Sequence, residues 1–216
     1  MKNKDLVIID YQLGNLFNVQ KAFKYLGYDS IVSNKTADIK NAKKIVLPGV
    51  GAFKAGMKSL INNSLVEPII NEANNGKPIL GVCLGMQLLM STSEENGIHD
   101  GLNLVSGSVK KFTLPSDSDK FRIPHYGWTP IFNPNKDNNQ FDSNSILSSI
   151  TNGTHFYFVH SYYVSVKNTK NILATSSYGK NKFTSVIKRD NISACQFHPE
   201  RSGVEGLKIL EKFVKD

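Results

Sequence analysis

Cysteine is scarce in this chain, two in 216 residues, and tryptophan scarcer, with one. Two thiols in an otherwise even composition do not build a disulfide framework, so the sequence reads as a protein of a reducing compartment, the cytoplasm. Long apolar runs are missing too. The opening "MKNKDLVIID" has only a short hydrophobic stretch before Asp10. That is too short for a signal-peptide core and far too short to span a bilayer, so no membrane association is expected. Runs of like charge are absent despite a formal net charge of +8. The lysines come in ones and twos ("NAKKI", "SVKKF", "VIKRD"), and no nucleic-acid module is recognisable. The charge therefore reads as a solvated surface, able to help dock an acidic partner subunit, with nucleic acid excluded as a partner. His99, His125 and His155 lack the paired spacing of a metal site, so neither metal nor cofactor is expected.

What is present is alternation. "DLVIID" is a short apolar run followed by a glycine turn and a helical pattern in "NLFNVQKAFKYLG", where Leu16, Val19, Phe23 and Leu26 recur at helical spacing. An extended "YDSIVS", a second run "KIVLPG", helices through "AGMKSLINN" and "VEPIINEANNG", and a third run "PILGV" follow. Strand and helix in turn argue for a mainly parallel sheet flanked by helices, an α/β fold. From about Gly101 to Gln196 the texture changes to strand-rich: "LVSGSVKKF", "THFYFVHSYYVSV", "NILATSSYG", "FTSVIKR" and "ISACQF". Turn residues between them predict antiparallel pairing in this half. The polar segment "NPNKDNNQFDSNS" reads as a surface loop, and "SGVEGLKILEKFV" as a closing amphipathic helix. No linker divides the chain, so residues 1–216 are expected to form one domain.

One of the two cysteines stands out. Cys83 lies in "Gly81-Val-Cys83-Leu-Gly85", where a predicted parallel strand runs straight into a helix. Such a junction turns sharply, and glycines two before and two after relieve the crowding; this is the logic of the nucleophile elbow, with sulfur for hydroxyl. The helix start favours a thiolate and an oxyanion beside it. A buried structural cysteine is the competing reading of a lone thiol. A base is on offer in "QFHPERSG": His198 follows a predicted strand, Pro199 fixes the backbone, and Glu200 lies two residues on, a spacing that lets a carboxylate orient an imidazole. His160, on an apolar strand, reads as a hydrogen-bonded support residue, and Cys195 as buried packing.

Together these motifs resemble the class I (triad) glutamine amidotransferases. The likeness covers nearly the whole chain through "IIDYQLGNLFNVQKAF", "LPGVGAF", "GVCLGMQLL", "IPHYGW", "FYFVHSYYV" and "QFHPERSG". Within that family it is similar to the glutaminase subunits that serve imidazole glycerol phosphate formation in histidine biosynthesis. The resemblance implies an open α/β sheet and a Cys83 thioester that releases ammonia from L-glutamine, with His198 relaying protons and Glu200 orienting it. It implies an oxyanion hole at the amides of Val50 and Leu84, the first engaged through a peptide rearrangement. It matches Gly51, Gln87, Glu95, Ser161 and Tyr162 to the substrate's amino-acid end, Glu95 toward the α-ammonium and Gln87 toward the α-carboxylate on charge grounds. It matches Asn15, Trp128, Tyr157 and Arg201 to the side facing a (β/α)8 synthase or cyclase subunit, with which the chain would form a heterodimer joined by an ammonia channel.

Alternatives stay open at this point. Trp128 and Tyr157 fit core aromatics as well, and Glu95 fits a solvated loop charge. The family's opening motif commonly has glycine where this chain has Gln12, which touches the choice of ammonia acceptor: a sugar, for surface-polysaccharide synthesis, is the second candidate. A catalytically silent scaffold is the third.

Overall fold

A computed structural model describes residues 5–113, 121–135 and 140–216. Its first half alternates: β1 (Leu6–Ile9), α1 (Leu16–Tyr25), β2 (Ile31–Ser33), α2 (Thr36–Asn41), β3 (Lys44–Gly49), α3 (Phe53–Asn62), α4 (Val66–Asn74) and β4 (Ile79–Cys83). α5 (Leu84–Leu88) starts at the residue after β4. α2 has no counterpart in the sequence reading, because six residues burying one apolar side chain, Ile39, leave no periodicity to detect. The second half holds β5 (Met90–Ser93), β6 (His99–Asp100), β7 (Val105–Lys111), β8 (His125–Pro130), β9 (His155–His160), β10 (Tyr162–Val166), β11 (Ile172–Tyr178), β12 (Asn181–Arg189) and β13 (Ile192–Cys195). α6 (Gly203–Lys215) closes the chain.

A seven-stranded sheet, in the order β11-β12-β13-β4-β3-β1-β2, draws on both halves. β2, β1, β3, β4 and β13 are mutually parallel, and β12 and β11 complete the sheet through antiparallel pairs. β1 and β4 are apolar throughout, and β3 is after Lys44, because both their faces are covered. Val7 and Ile9 of β1 enter one core with Leu60 of α3 and Ile69 of α4. Leu6 and Ile8 enter a second with Phe23 of α1 and Leu210 and Phe213 of α6. Each such side chain contributes about 1.5–3 kcal/mol on burial.

Antiparallel pairing holds in the second half for β11–β12–β13, β7–β10 and β8–β9. It does not extend to β13 against β4 or to β5 against β7, which are parallel. The stretch "THFYFVHSYYVSV" is broken at Ser161: β9 pairs with β8 as a two-stranded ribbon, and β10 joins a four-stranded sheet ordered β10-β7-β5-β6. Of the polar segment 133–145, residues 136–139 lie outside the described residues; Phe141 beyond them is buried in the second core rather than solvated.

The topology sets where chemistry can occur. β3, β4 and β13 are adjacent and parallel, with Gly49 opposite Cys83 and Cys195 opposite Val82. The segments leaving their carboxyl ends, at Val50, Leu84 and His198, therefore emerge side by side, where open α/β sheets bind ligands.

Candidate active site

Cys83 ends β4 with φ 53° and ψ −109°, a left-handed backbone that costs a non-glycine residue on the order of 1–3 kcal/mol. The flanking glycines make this turn feasible. A Cβ on Gly85 would stand 1.8 Å from the Leu47 carbonyl oxygen, and one on Gly81 2.8 Å from Leu89 Cδ1 and 3.0 Å from Ala194 Cβ. The strand can thus feed a helix at once, and the sulfur faces a pocket of about 330 Å³.

His198 lines the same pocket. Its Nδ1 is 2.8 Å from Glu200 Oε1, and both side chains are almost wholly buried. Burial alone would disfavour the charged ring. The negative charge available at Cys83 and the hydrogen-bonded carboxylate of Glu200 outweigh it, and the pKa of His198 rises to about 10. Nε2 is buried with no nitrogen or oxygen partner among the described residues, on the ring edge left for the sulfur and for a substrate proton. Cys195 is also buried and free, and burial pushes its thiol up, so it is a poor nucleophile.

Val50, Gly51, Leu84, Gln87, Glu95, Ser161 and Tyr162 all border this pocket together with His160. Gly51 has φ 97°, and Leu84 opens α5, where first-turn N–H groups have no partner within the helix. Glu95 is not a solvated charge: its Oε2 accepts from the Phe53 N–H at 2.6 Å, at the start of α3. Gln87 differs from the expectation placed on it. Its Nε2 donates to the Tyr162 carbonyl (2.9 Å) and to Gln196 Oε1 (3.2 Å), so both amide hydrogens are used. What remains is an acceptor oxygen, unsuited to a carboxylate.

The residues matched to a partner face lie elsewhere. Asn15 caps α1, accepting from the Asn18 N–H at 3.4 Å, and α1 packs on the turn Pro199–Arg201. Trp128 is 56% exposed on β8, beside Tyr126 at 69%, and so is no core aromatic. Both flank the half-buried Tyr157, whose ring lies 4.6 Å from the Arg201 guanidinium. The sequence reading missed Tyr126 and, nearer the sulfur, Gln196 and Tyr11. Gln196 Nε2 is 3.7 Å from Cys83 Sγ. Its place two residues before His198 was a usable signal, since alternate residues of an extended chain share a side. Tyr11 is fully buried with no hydrogen bond to its hydroxyl among the described residues, and that hydroxyl lies against Gly49.

Comparison with known proteins bears on this geometry. The family model described as glutamine amidotransferase class-I matches residues 7–216. The imidazole glycerol phosphate synthase subunit HisH of Syntrophotalea carbinolica is 42% identical over 213 residues, covering 96% of this chain and 98% of that one. The protein of that name from Geobacillus sp. is 41% identical, covering 95% and 94%. Among solved structures, PurLQS from Thermotoga maritima superposes with a TM-score of 0.70 at 17% identity, over 100% of this chain and 99% of that chain. A glutamine amidotransferase crystal structure gives 0.68 at 15%, over 97% of each. At such identities the two structures speak for the fold alone.

Proposed function

The chain belongs to the class I glutamine amidotransferase family, and from that premise we propose that Cys83, His198 and Glu200 perform its glutaminase reaction. The Cys83 thiolate attacks the carboxamide carbon of L-glutamine. The oxyanion that forms is met by the amides of Val50 and Leu84. His198, carrying the thiol proton, passes it to the departing nitrogen; the C–N bond breaks, leaving ammonia and a glutamyl thioester. His198 then takes a proton from a water whose oxygen attacks the thioester carbon; the new C–O bond forms, the C–S bond breaks to return the Cys83 thiolate, and glutamate leaves. Glu200 holds the imidazole in the orientation both steps need. Glu95 and the free oxygen of Gln87 serve the α-ammonium end, beside Gly51, Ser161 and Tyr162.

One observation carries the reading: a strained, pocket-facing cysteine shares its pocket with an imidazole whose far nitrogen is 2.8 Å from a buried carboxylate. The names of the relatives, at 40–42% identity over most of both chains, support ammonia delivery for imidazole glycerol phosphate formation in histidine biosynthesis. The receiving partner is a (β/α)8 synthase or cyclase subunit in a heterodimer. Exposed Tyr126, Trp128 and Arg201 around the half-buried Tyr157, aromatics and an arginine as at interface centres, together with Asn15, are the docking side.

The test uses the purified pair. Cys83→Ala abolishes product formation from glutamine and spares it from ammonium. Persistent glutamine-driven turnover would sink the nucleophile assignment. Failure of the unaltered pair to aminate the histidine-pathway intermediate with ammonium would sink the acceptor.

A further inference from the structure

The Cys83 sulfur has neighbours beyond the triad: Gln196 Nε2 at 3.7 Å and the Val159 carbonyl oxygen at 3.9 Å. Gln196 is completely buried. A primary amide can present either end to a neighbour, so its surroundings decide which end meets the sulfur. Here they decide it from a distance. Gln87 Nε2 donates to Gln196 Oε1, which leaves the Gln196 nitrogen to Sγ. Gln87 is itself oriented by the Tyr162 carbonyl, 2.9 Å from the same Nε2.

The chain of bonds continues from that carbonyl. His160 Nδ1 lies 2.8 Å from it, and a carbonyl only accepts, so Nδ1 carries the proton. Burial holds His160 neutral, with a pKa of about 3, so its Nε2 is an acceptor. The partner of Nε2 is His125 Nδ1 at 3.0 Å, which must donate. His125 is likewise kept neutral by burial, with a pKa of about 4, and its Nε2 accepts from the Thr129 hydroxyl at 2.8 Å. A single carbonyl thus fixes both histidine tautomers and, through Gln87, the direction of the Gln196 amide.

We infer that Gln196 is a positioning residue for the Cys83 nucleophile, its N–H aimed at the sulfur by Gln87, which the Tyr162 carbonyl orients in turn. The assignment rests on Cys83 being the nucleophile. A donated N–H stabilises the thiolate over the thiol, whereas the Val159 carbonyl can serve only the thiol. Thr129 and His125 alternate along β8 with the exposed Tyr126 and Trp128, so the histidine branch of these bonds ends on the back of the proposed docking surface.

Other titratable groups face the sulfur: His198 and Glu200 after β13, Cys195 on β13, Tyr11 after β1, and Glu95 and His160 across the pocket. The experiment leaves all of them in place. Gln196→Met keeps the bulk and removes the donor. Alkylation of Cys83 by iodoacetamide at one fixed pH, followed on the peptide that contains it, reads the reactivity of the sulfur. The alkylation rate of Gln196→Met is expected to fall about tenfold, with kcat for glutamine down about tenfold at unchanged KM. Gln87→Met, which releases the Gln196 amide without touching the sulfur, is expected to slow alkylation by less, which a space-filling Gln196 would not produce. Unfolding curves accompany both variants, and if Gln196→Met does not fold, Gln87→Met decides. An unchanged alkylation rate in the folded variant overturns the inference. Cys83→Ala, run alongside, separates this from failure of the nucleophile reading, which would show as residual glutamine turnover there.

Discussion

The backbone N–H of His198 donates to the carbonyl of Tyr157 at 2.9 Å. Ser202 closes a second link between the same two residues: its hydroxyl accepts from the Tyr157 N–H at 3.0 Å and donates to the His198 carbonyl at 2.6 Å. The proposed general base is therefore pinned to β9 by its own main chain. Tyr157 presents its ring to Arg201 and the exposed aromatics of the ribbon, so a partner that presses on that patch acts one peptide away from His198.

Ser202→Ala tests this linkage. Removing the hydroxyl leaves the Tyr157 N–H without its acceptor and the His198 carbonyl with the Arg201 N–H alone, at a cost of about 1–3 kcal/mol. The unfolding midpoint is expected to drop, and glutamine-driven turnover of the pair to fall several-fold. Ammonium-driven turnover should hold, because it bypasses His198. Equal losses in both assays would mean that Ser202 supports the fold without a particular tie to the base.

The elbow makes a sharper demand. An alanine at Gly85 would put its Cβ 1.8 Å from the Leu47 carbonyl oxygen, a backbone atom of the neighbouring strand β3. No rotamer change relieves that contact, so β3 and α5 must separate. Gly85→Ala is expected to cost more than about 3 kcal/mol, in the range of severe core changes. Denaturant unfolding or the yield of folded protein measures it; a variant of near-normal stability would show that the turn at Cys83 is looser than described.

How much of this was legible beforehand follows from the range of each interaction. The elbow could be read because its cause is local: two glycines at fixed offsets from Cys83 at a strand-to-helix junction. The His198–Glu200 pair was legible for the same reason. The insertion of β13 beside β4 was not, since nothing within "ISACQF" says which strand it will join. The role open to Gln87 was misjudged because it depends on hydrogen bonds to Tyr162 and Gln196, far away in sequence. The exposure of Trp128 was undecidable from an aromatic alone; it follows from its place with Tyr126 on the open face of the β8–β9 ribbon, whose other face buries His125.

Gln12 has a φ of 68°, the left-handed region that glycine favours. The Gln12 N–H donates to Asp10 Oδ1 at 2.9 Å, which holds the turn closed. The strain is about 1–2 kcal/mol, while glycine loses about 0.5–1 kcal/mol more chain entropy on folding. Gln12→Gly is therefore expected to leave stability level or raise it by under about 1 kcal/mol, and Gln12→Val to lower it. Chemical denaturation of the two variants checks the order. Neither substitution reaches the pocket, so glutaminase activity of the isolated chain should stay level in Gln12→Gly.

The buried histidine pair gives stability a pH dependence of known sign. His125 and His160 have folded-state pKa values of about 4 and about 3, pushed down chiefly by burial from the ordinary value near 6.5. Groups held neutral in this way contribute stability that is complete above the unfolded value and is lost as pH falls toward the folded ones. His198 works in the opposite sense: with a pKa raised to about 10, its contribution is complete below about 6.5 and is lost only as pH rises toward 10. Of these three rings, His125 and His160 therefore carry the acid sensitivity between pH 6.5 and 4. His125→Phe removes one of the two titrating rings from a site already lined by Phe158, Tyr178 and Phe183. Its unfolding midpoint is expected to fall less steeply than that of the unaltered protein over this interval, and to run parallel to it above pH 7. Curves that stay parallel down to pH 4 would show that His125 is not held neutral by burial, and the tautomers assigned from Thr129 to Tyr162 would fall with it.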